Sequence, residues 1–182
     1  MRKNITFIVF TISYLLLAIS YSGCGYTTRG FLDPQHRTIY VKPVVNSVKV
    51  TGETQEFTDF RSVPPFLEQS FTQALISRFG LDGNLKLVKE DAADLVLECT
   101  ITDFVRSTLR YDDQDRVEEY RLKIYFNYKL FDRGGNVVGK NSLVADSEYA
   151  LVGRLAKSEN QAISELLEEA ARKAVEDVIE AW

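Results

Sequence analysis

From Glu119 to Leu130 the side chains alternate without a break. Tyr120, Leu122, Ile124, Phe126, Tyr128 and Leu130 share one face, and Glu119, Arg121, Lys123, Tyr125, Asn127 and Lys129 share the other. A period of two defines a strand with one dry and one wet face. A dry face of that length must be flanked by further strands and covered by another layer. The flanking strands are legible. Asp132-Arg133-Gly134-Gly135-Asn136 has the composition of a hairpin turn, and Val137 to Leu151 pairs back after it. Upstream, Asp91-Ala92-Ala93-Asp94 turns the chain into a long strand from Leu95 to about Leu109. Leu85 to Lys89 and Thr38 to Val45 are shorter strand candidates, and Pro43 places the latter at a sheet edge or a strand end.

Two segments carry helical spacing and supply the covering layer. In the first, Ser62 to Gly80, the residues Leu67, Phe71, Ala74, Leu75 and Phe79 fall on one face. Ser62 is the expected cap, Pro64 and Pro65 sit where missing amides do little harm, and Gly80 is the expected stop. In the second, Ser158 and Gln161 form a capping box. Its apolar stripe runs through Ile163, Leu166, Leu167, Ala170, Ala171, Ala174, Val175, Val178 and Ile179. The order predicts an α+β fold, with two amphipathic helices packed on one face of a largely antiparallel, mixed sheet of four to five strands. Leu75, Ile124 and Leu166 are expected in its core.

The N-terminus has a different logic. Arg2 and Lys3 precede an apolar stretch from Ile5 to Ile19, and Ser22-Gly23 leads into Cys24. A charged start, an apolar run and a small-residue exit define a secretory signal peptide. About 15 apolar residues fall short of the roughly 20 that span a bilayer. A Cys at the exit resembles the bacterial lipobox, in which that Cys is acylated and becomes the first residue of the mature protein; Tyr21 stands where the pattern usually has Leu. A retained anchor and plain secretion are the other two readings of this segment. Residues 1–23 are therefore predicted to be a signal peptide, 24–37 a tether lipidated at Cys24, and 38–182 a single α+β domain. Gly25 rather than Asp after the Cys points to the outer membrane, as in enteric lipoproteins.

Chemistry is sparse. Without its leader the chain keeps 20 basic and 26 acidic residues, a net charge near −6, which argues against nucleic acid as a partner. The single His36 has no His or Cys neighbour, so no metal site is expected. Asp112, Asp113 and Asp115 lack the Gly and bidentate Glu of a calcium loop and read as a solvated turn. No phosphate loop and no nucleophile dyad is evident, and no catalytic function or cofactor is expected. Cys99, in an apolar run, reads as a small buried hydrophobe. The basic residues Arg106, Arg110, Arg116, Arg133, Arg154 and Lys157 lie in loops or late in strands. Solubility is their plain reading, and a site for anionic groups is the sharper one. Lys157 stands one residue before a capped helix start, where free amides also favour an anion.

Cys24-Gly25-Tyr26 with Arg29-Gly30 resembles the mature start of the LptE family, the lipopolysaccharide-assembly lipoproteins of Gram-negative outer membranes. Ala93-Asp94-Leu95-Val96-Leu97, Glu119-Tyr120-Arg121-Leu122 and Ala156-Lys157-Ser158-Glu159-Asn160-Gln161 are similar too, in the same order. The resemblance implies a plug inside the LptD β-barrel that binds lipopolysaccharide through basic residues, anchored by an N-terminal lipid that includes palmitate. Lys157 matches the family's lipopolysaccharide-binding Lys, and Arg110 or Arg116 would supply the second cation. Tyr111, Tyr125 and Tyr149 are expected at the surface, available to the barrel. A lipoprotein that activates a cell-wall synthase is the alternative. Such proteins generally carry a long linker, whereas this tether reaches at most about 45 Å at roughly 3.3–3.6 Å per residue.

Overall fold

The computed structural model describes residues 36–48, 59–60 and 63–180. The predicted signal peptide, Cys24, most of the tether and the predicted cap Ser62 lie outside the described residues. The chain forms strands β1 (Thr38–Val41), β2 (Val45–Asn46) and β3 (Asp59–Phe60), helix α1 (Leu67–Asp82), strand β4 (Lys86–Leu87), a 3-10 turn (Glu90–Ala92), strands β5 (Leu95–Tyr111), β6 (Val117–Asp132) and β7 (Val137–Ala150), and helix α2 (Glu159–Glu180). The sheet runs β4-β1-β5-β6-β7, and β2 and β3 pair with β5 beyond β1. The fold is the expected α+β sandwich. Among the described residues the sheet has seven strands rather than four or five, because the first segment splits into β1 and β2 and a two-residue strand, β3, forms within a polar stretch.

The three long strands are antiparallel, whereas β1 and β2 run parallel to β5 and β1 runs parallel to β4. Alternation in β6 is realised as read: Leu122, Ile124, Phe126, Tyr128 and Leu130 are buried. In β5 the buried set changes parity, from Leu95, Leu97, Cys99 and Ile101 to Phe104. The ladder shifts register between Ile101 and Asp103. One extra residue there turns Phe104 back into the core, the usual effect of a bulge on a long strand.

Helix α1 buries Leu67, Phe71, Leu75 and Phe79, and Phe71 meets Phe126 edge to face with centroids 5.0 Å apart. Its ends differ from the sequence reading. Phe66, in the left-handed region, precedes the first turn. The helix passes through Gly80 and stops at Gly83, whose positive φ of 73° lets its amide reach the Phe79 carbonyl. Helix α2 starts as predicted. The Ser158 amide donates to Gln161 Oε1 (3.0 Å) and the Gln161 amide donates to Ser158 Oγ (3.3 Å). Its Ala170, Ala171 and Ala174 are buried, so the helix backbone can lie close to its neighbours. An Arg78–Glu176 ion pair at 3.7 Å joins the helices. Cys99 is buried among these apolar groups, and burial pushes its thiol pKa up to about 12, as expected of an inert packing residue.

Asp94, from the Ala-Asp-Leu motif, fastens the start of β1. Its Oδ2 accepts from Thr38 Oγ1 (2.7 Å) and from the amides of Thr38 (3.1 Å) and Arg37 (3.2 Å). The Thr38 hydroxyl first, and then the Arg37 amide, hold this carboxyl below the usual carboxylate range.

Candidate functional site

Three of the cations singled out in the sequence, Arg110, Arg116 and Lys157, collect at one end of the long strands. Arg110 faces Glu119 across the β5–β6 ladder, Glu119 faces Ala150 across the β6–β7 ladder, and the Ala150 carbonyl accepts the Lys157 amide at 3.0 Å. Arg116 closes the β5–β6 turn at the same end. The chain reaches Lys157 by folding back after β7. Gly153, with φ 89°, makes the turn, and Ala156 forms a parallel bridge with Ala150. Arg154 lies exposed in this loop. Arg133 belongs elsewhere: it sits at the opposite end of the sheet, 3.3 Å from Asp94.

Each of the three candidate cations has a carboxylate partner. Lys157 Nζ donates to both oxygens of Glu165, at 2.8 and 2.6 Å. Arg116 Nε donates to Asp112 Oδ2 at 2.7 Å. Arg110 reaches Glu118 at 3.1 Å and Glu119 at 3.7 Å. Asp112 also organises its turn, accepting the amides of Gln114 and Arg116 at 2.8 and 2.9 Å. The Arg116 amide, followed by the Arg116 side chain, holds its carboxyl below the ordinary range. This is the solvated Asp-rich turn that the sequence predicts.

A fourth cation braces the site from beneath. Arg106 Nη1 donates to Glu159 Oε1 in the first turn of α2 at 2.9 Å. Its guanidinium carbon lies 5.1 Å from the centroid of the Tyr120 ring, within cation–π range. Tyr120 in turn stacks on Tyr149, with centroids 5.6 Å apart. Tyr149 is only 3% exposed, which corrects the expectation of a surface tyrosine: Arg106 and Tyr120 draw it inward. Burial first, and the Glu159 charge second, raise its hydroxyl pKa. Tyr111 and Tyr125 are exposed as expected, at 50% and 39%.

Sequence reasoning missed the apolar part of this end. Leu109, Tyr111, Leu151, Val152 and Leu155 are all exposed around the cations, Leu155 at 78%. The signal was available as Leu151-Val152-Gly153-Arg154-Leu155, an apolar Gly-containing loop directly before a capping box. An end that carries exposed apolar groups beside Arg and Lys has the chemistry of a contact for phosphorylated amphiphiles.

Two long helices on one face of a mixed sheet, with a charged and apolar open end, define a small α+β domain whose candidate site is a surface rather than a cleft. Among the described residues no helix is long and apolar enough to cross a membrane. The chain belongs to the LptE family, described as lipopolysaccharide-assembly, whose model matches residues 37–182. No curated protein sequence matches the chain. Among solved structures, a protein from Xanthomonas campestris is 13% identical, with a TM-score of 0.51 over 82% of this chain and 90% of that one. The rare lipoprotein B from Shewanella oneidensis is 20% identical, with a TM-score of 0.42 over 76% of this chain and 91% of that one. Lipoprotein B from Nitrosomonas europaea is 12% identical, with a TM-score of 0.47 over 79% and 83%. At these identities the Xanthomonas structure speaks to the fold alone.

Proposed function

We propose that this chain is an outer-membrane lipoprotein, anchored through acylated Cys24 on the periplasmic side, that acts with an LptD-like β-barrel in placing lipopolysaccharide at the outer membrane. Its part is that of a plug and a lipopolysaccharide-binding subunit, and it catalyses no reaction itself. The family match over residues 37–182 carries this reading. Convergence of Arg110, Arg116 and Lys157 on one end of the sheet supports it, since scattered solubility charges would have no reason to meet there. The exposed Leu151, Val152 and Leu155 beside them suit a ligand with acyl chains next to phosphates. The protein's net charge near −6 repels a polyanion at long range, so recognition is local and falls as salt rises.

The test is affinity purification of the full-length lipoprotein from detergent-solubilised outer membranes, with its partners identified by mass. An outer-membrane barrel recovered in stoichiometric amount is the expected result. Recovery of the protein alone, or with a cell-wall synthase, would refute this reading and favour the synthase activator.

A further inference from the structure

Lys157 is not an open cation. Its amide is pinned to the Ala150 carbonyl, so the backbone fixes where the side chain starts. The side chain ends at the two oxygens of Glu165, in the second turn of α2, at 2.6 and 2.8 Å. Both partners are about two-fifths to one-half exposed, so an incoming anion can reach them. We infer that Glu165 is a specificity-determining residue, an internal carboxylate that holds the Lys157 ammonium until a phosphate monoester displaces it. The inference rests on the proposed role of Lys157 in binding lipopolysaccharide.

Glu165 and an incoming anion compete for one ammonium. Glu165 is tethered eight residues from Lys157, and a tethered competitor acts at an effective concentration in the millimolar range. A ligand bearing only carboxylates exchanges one such contact for an equal one and gains nothing against that competitor. A phosphate monoester carries about −1.5 to −2 charge at pH 7 and three acceptor oxygens, so it can outbid a single carboxylate. The pair therefore filters the ligands available to the Lys157 ammonium by charge and acceptor number. A bare Lys on the same surface would accept acidic lipids of any kind. Arg116, held by Asp112 at 2.7 Å, follows the same pattern on the adjoining turn.

The experiment measures binding of the full-length protein in detergent to three immobilised probes: bis-phosphorylated lipid A, the same lipid with its phosphates removed, and a long-chain fatty acid. Wild type is compared with Glu165→Gln, Lys157→Ala, the double variant and Glu168→Gln. Glu168 lies on the same helix and is exposed, so its variant removes an equal charge elsewhere. Lys157→Ala should weaken lipid A binding by about tenfold. Glu165→Gln should strengthen it by roughly 1.5- to fivefold and should bring in fatty-acid binding that wild type lacks. Both gains should vanish in the double variant, and Glu168→Gln should resemble wild type. An equal gain from Glu168→Gln would overturn the inference, because the effect would then be one of net charge. If Lys157→Ala weakens binding while Glu165→Gln changes neither affinity nor selectivity, the inference fails and the site stands. If Lys157→Ala changes nothing, the site and the inference fail together.

Discussion

At the scale of single residues, charges in this protein are matched locally, and the matches decide what each group can do. Asp94 illustrates the structural kind. It accepts three hydrogen bonds at the start of β1, and Asp94→Ala should cost about 1–3 kcal/mol because two backbone amides lose their acceptor. Urea denaturation of the variant beside wild type measures this. Acid should act through the same groups. Asp94, Asp112, Asp132 and Glu169 all have carboxyl pKa values held below their ordinary range, mainly by hydrogen bonds from Thr38, Arg116, Asn136 and Arg172 respectively. A depressed carboxylate stabilises the fold above its unfolded pKa of about 4, and that stability is lost as pH falls through the folded value. Thermal midpoints should thus hold from pH 7 to about 5 and drop below pH 4, and Asp94→Asn should flatten part of that drop. A midpoint that falls steadily from pH 7 would contradict the assignment. The candidate cations were legible as residue types, whereas their partners were not. Arg106 and Glu159 are 53 positions apart, and only the packing of α2 against the sheet brings them together.

At the scale of elements, sequence is sufficient wherever local chemistry decides. The β6 alternation and the Ser158–Gln161 box each contain their own instruction, and both appear as expected. Gly80 misled because a helix tolerates Gly in its interior when its neighbours pack. The stop lies at Gly83, where Asp82-Gly83-Asn84 offers a left-handed cap and the Asp82 carboxylate accepts the Asn84 amide at 3.2 Å. The bulge near Ile101–Asp103 left no composition signal, because it solves a problem of strand length and twist that exists only in the assembled sheet. Helix α2 is the element whose packing is most exposed to test. Leu166 is fully buried, so Leu166→Ala should cost about 2–5 kcal/mol. An unchanged denaturation midpoint would mean that α2 does not seal the core.

At the scale of the whole molecule, the fold separates its tasks. The helices cover one face of the sheet, the 94–95 end ties down the incoming chain, and the opposite end gathers cations and exposed apolar side chains. A free domain of this kind would diffuse, and the Cys24 reading supplies the restraint. One acyl chain binds a bilayer only marginally, at roughly 0.8 kcal/mol per buried methylene, whereas two or three hold it durably. Cys24→Ala should therefore abolish fatty-acid labelling and release the protein from membranes; labelling that survives the change would exclude Cys24 as the attachment site. The family could be read from the order of short motifs, and three of the motif residues make structural contacts. Asp94 anchors β1, Tyr120 carries Arg106, and Gln161 caps α2.

The central claim is that this chain serves lipopolysaccharide assembly at the outer membrane. Depleting it from cells and measuring lipopolysaccharide accessible at the cell surface, with the inner-membrane pool measured in parallel, tests that claim most directly. The account predicts a falling surface level, a rising internal pool, and restoration by the wild-type chain. Unchanged surface lipopolysaccharide after depletion, with an altered cell wall in its place, would contradict it.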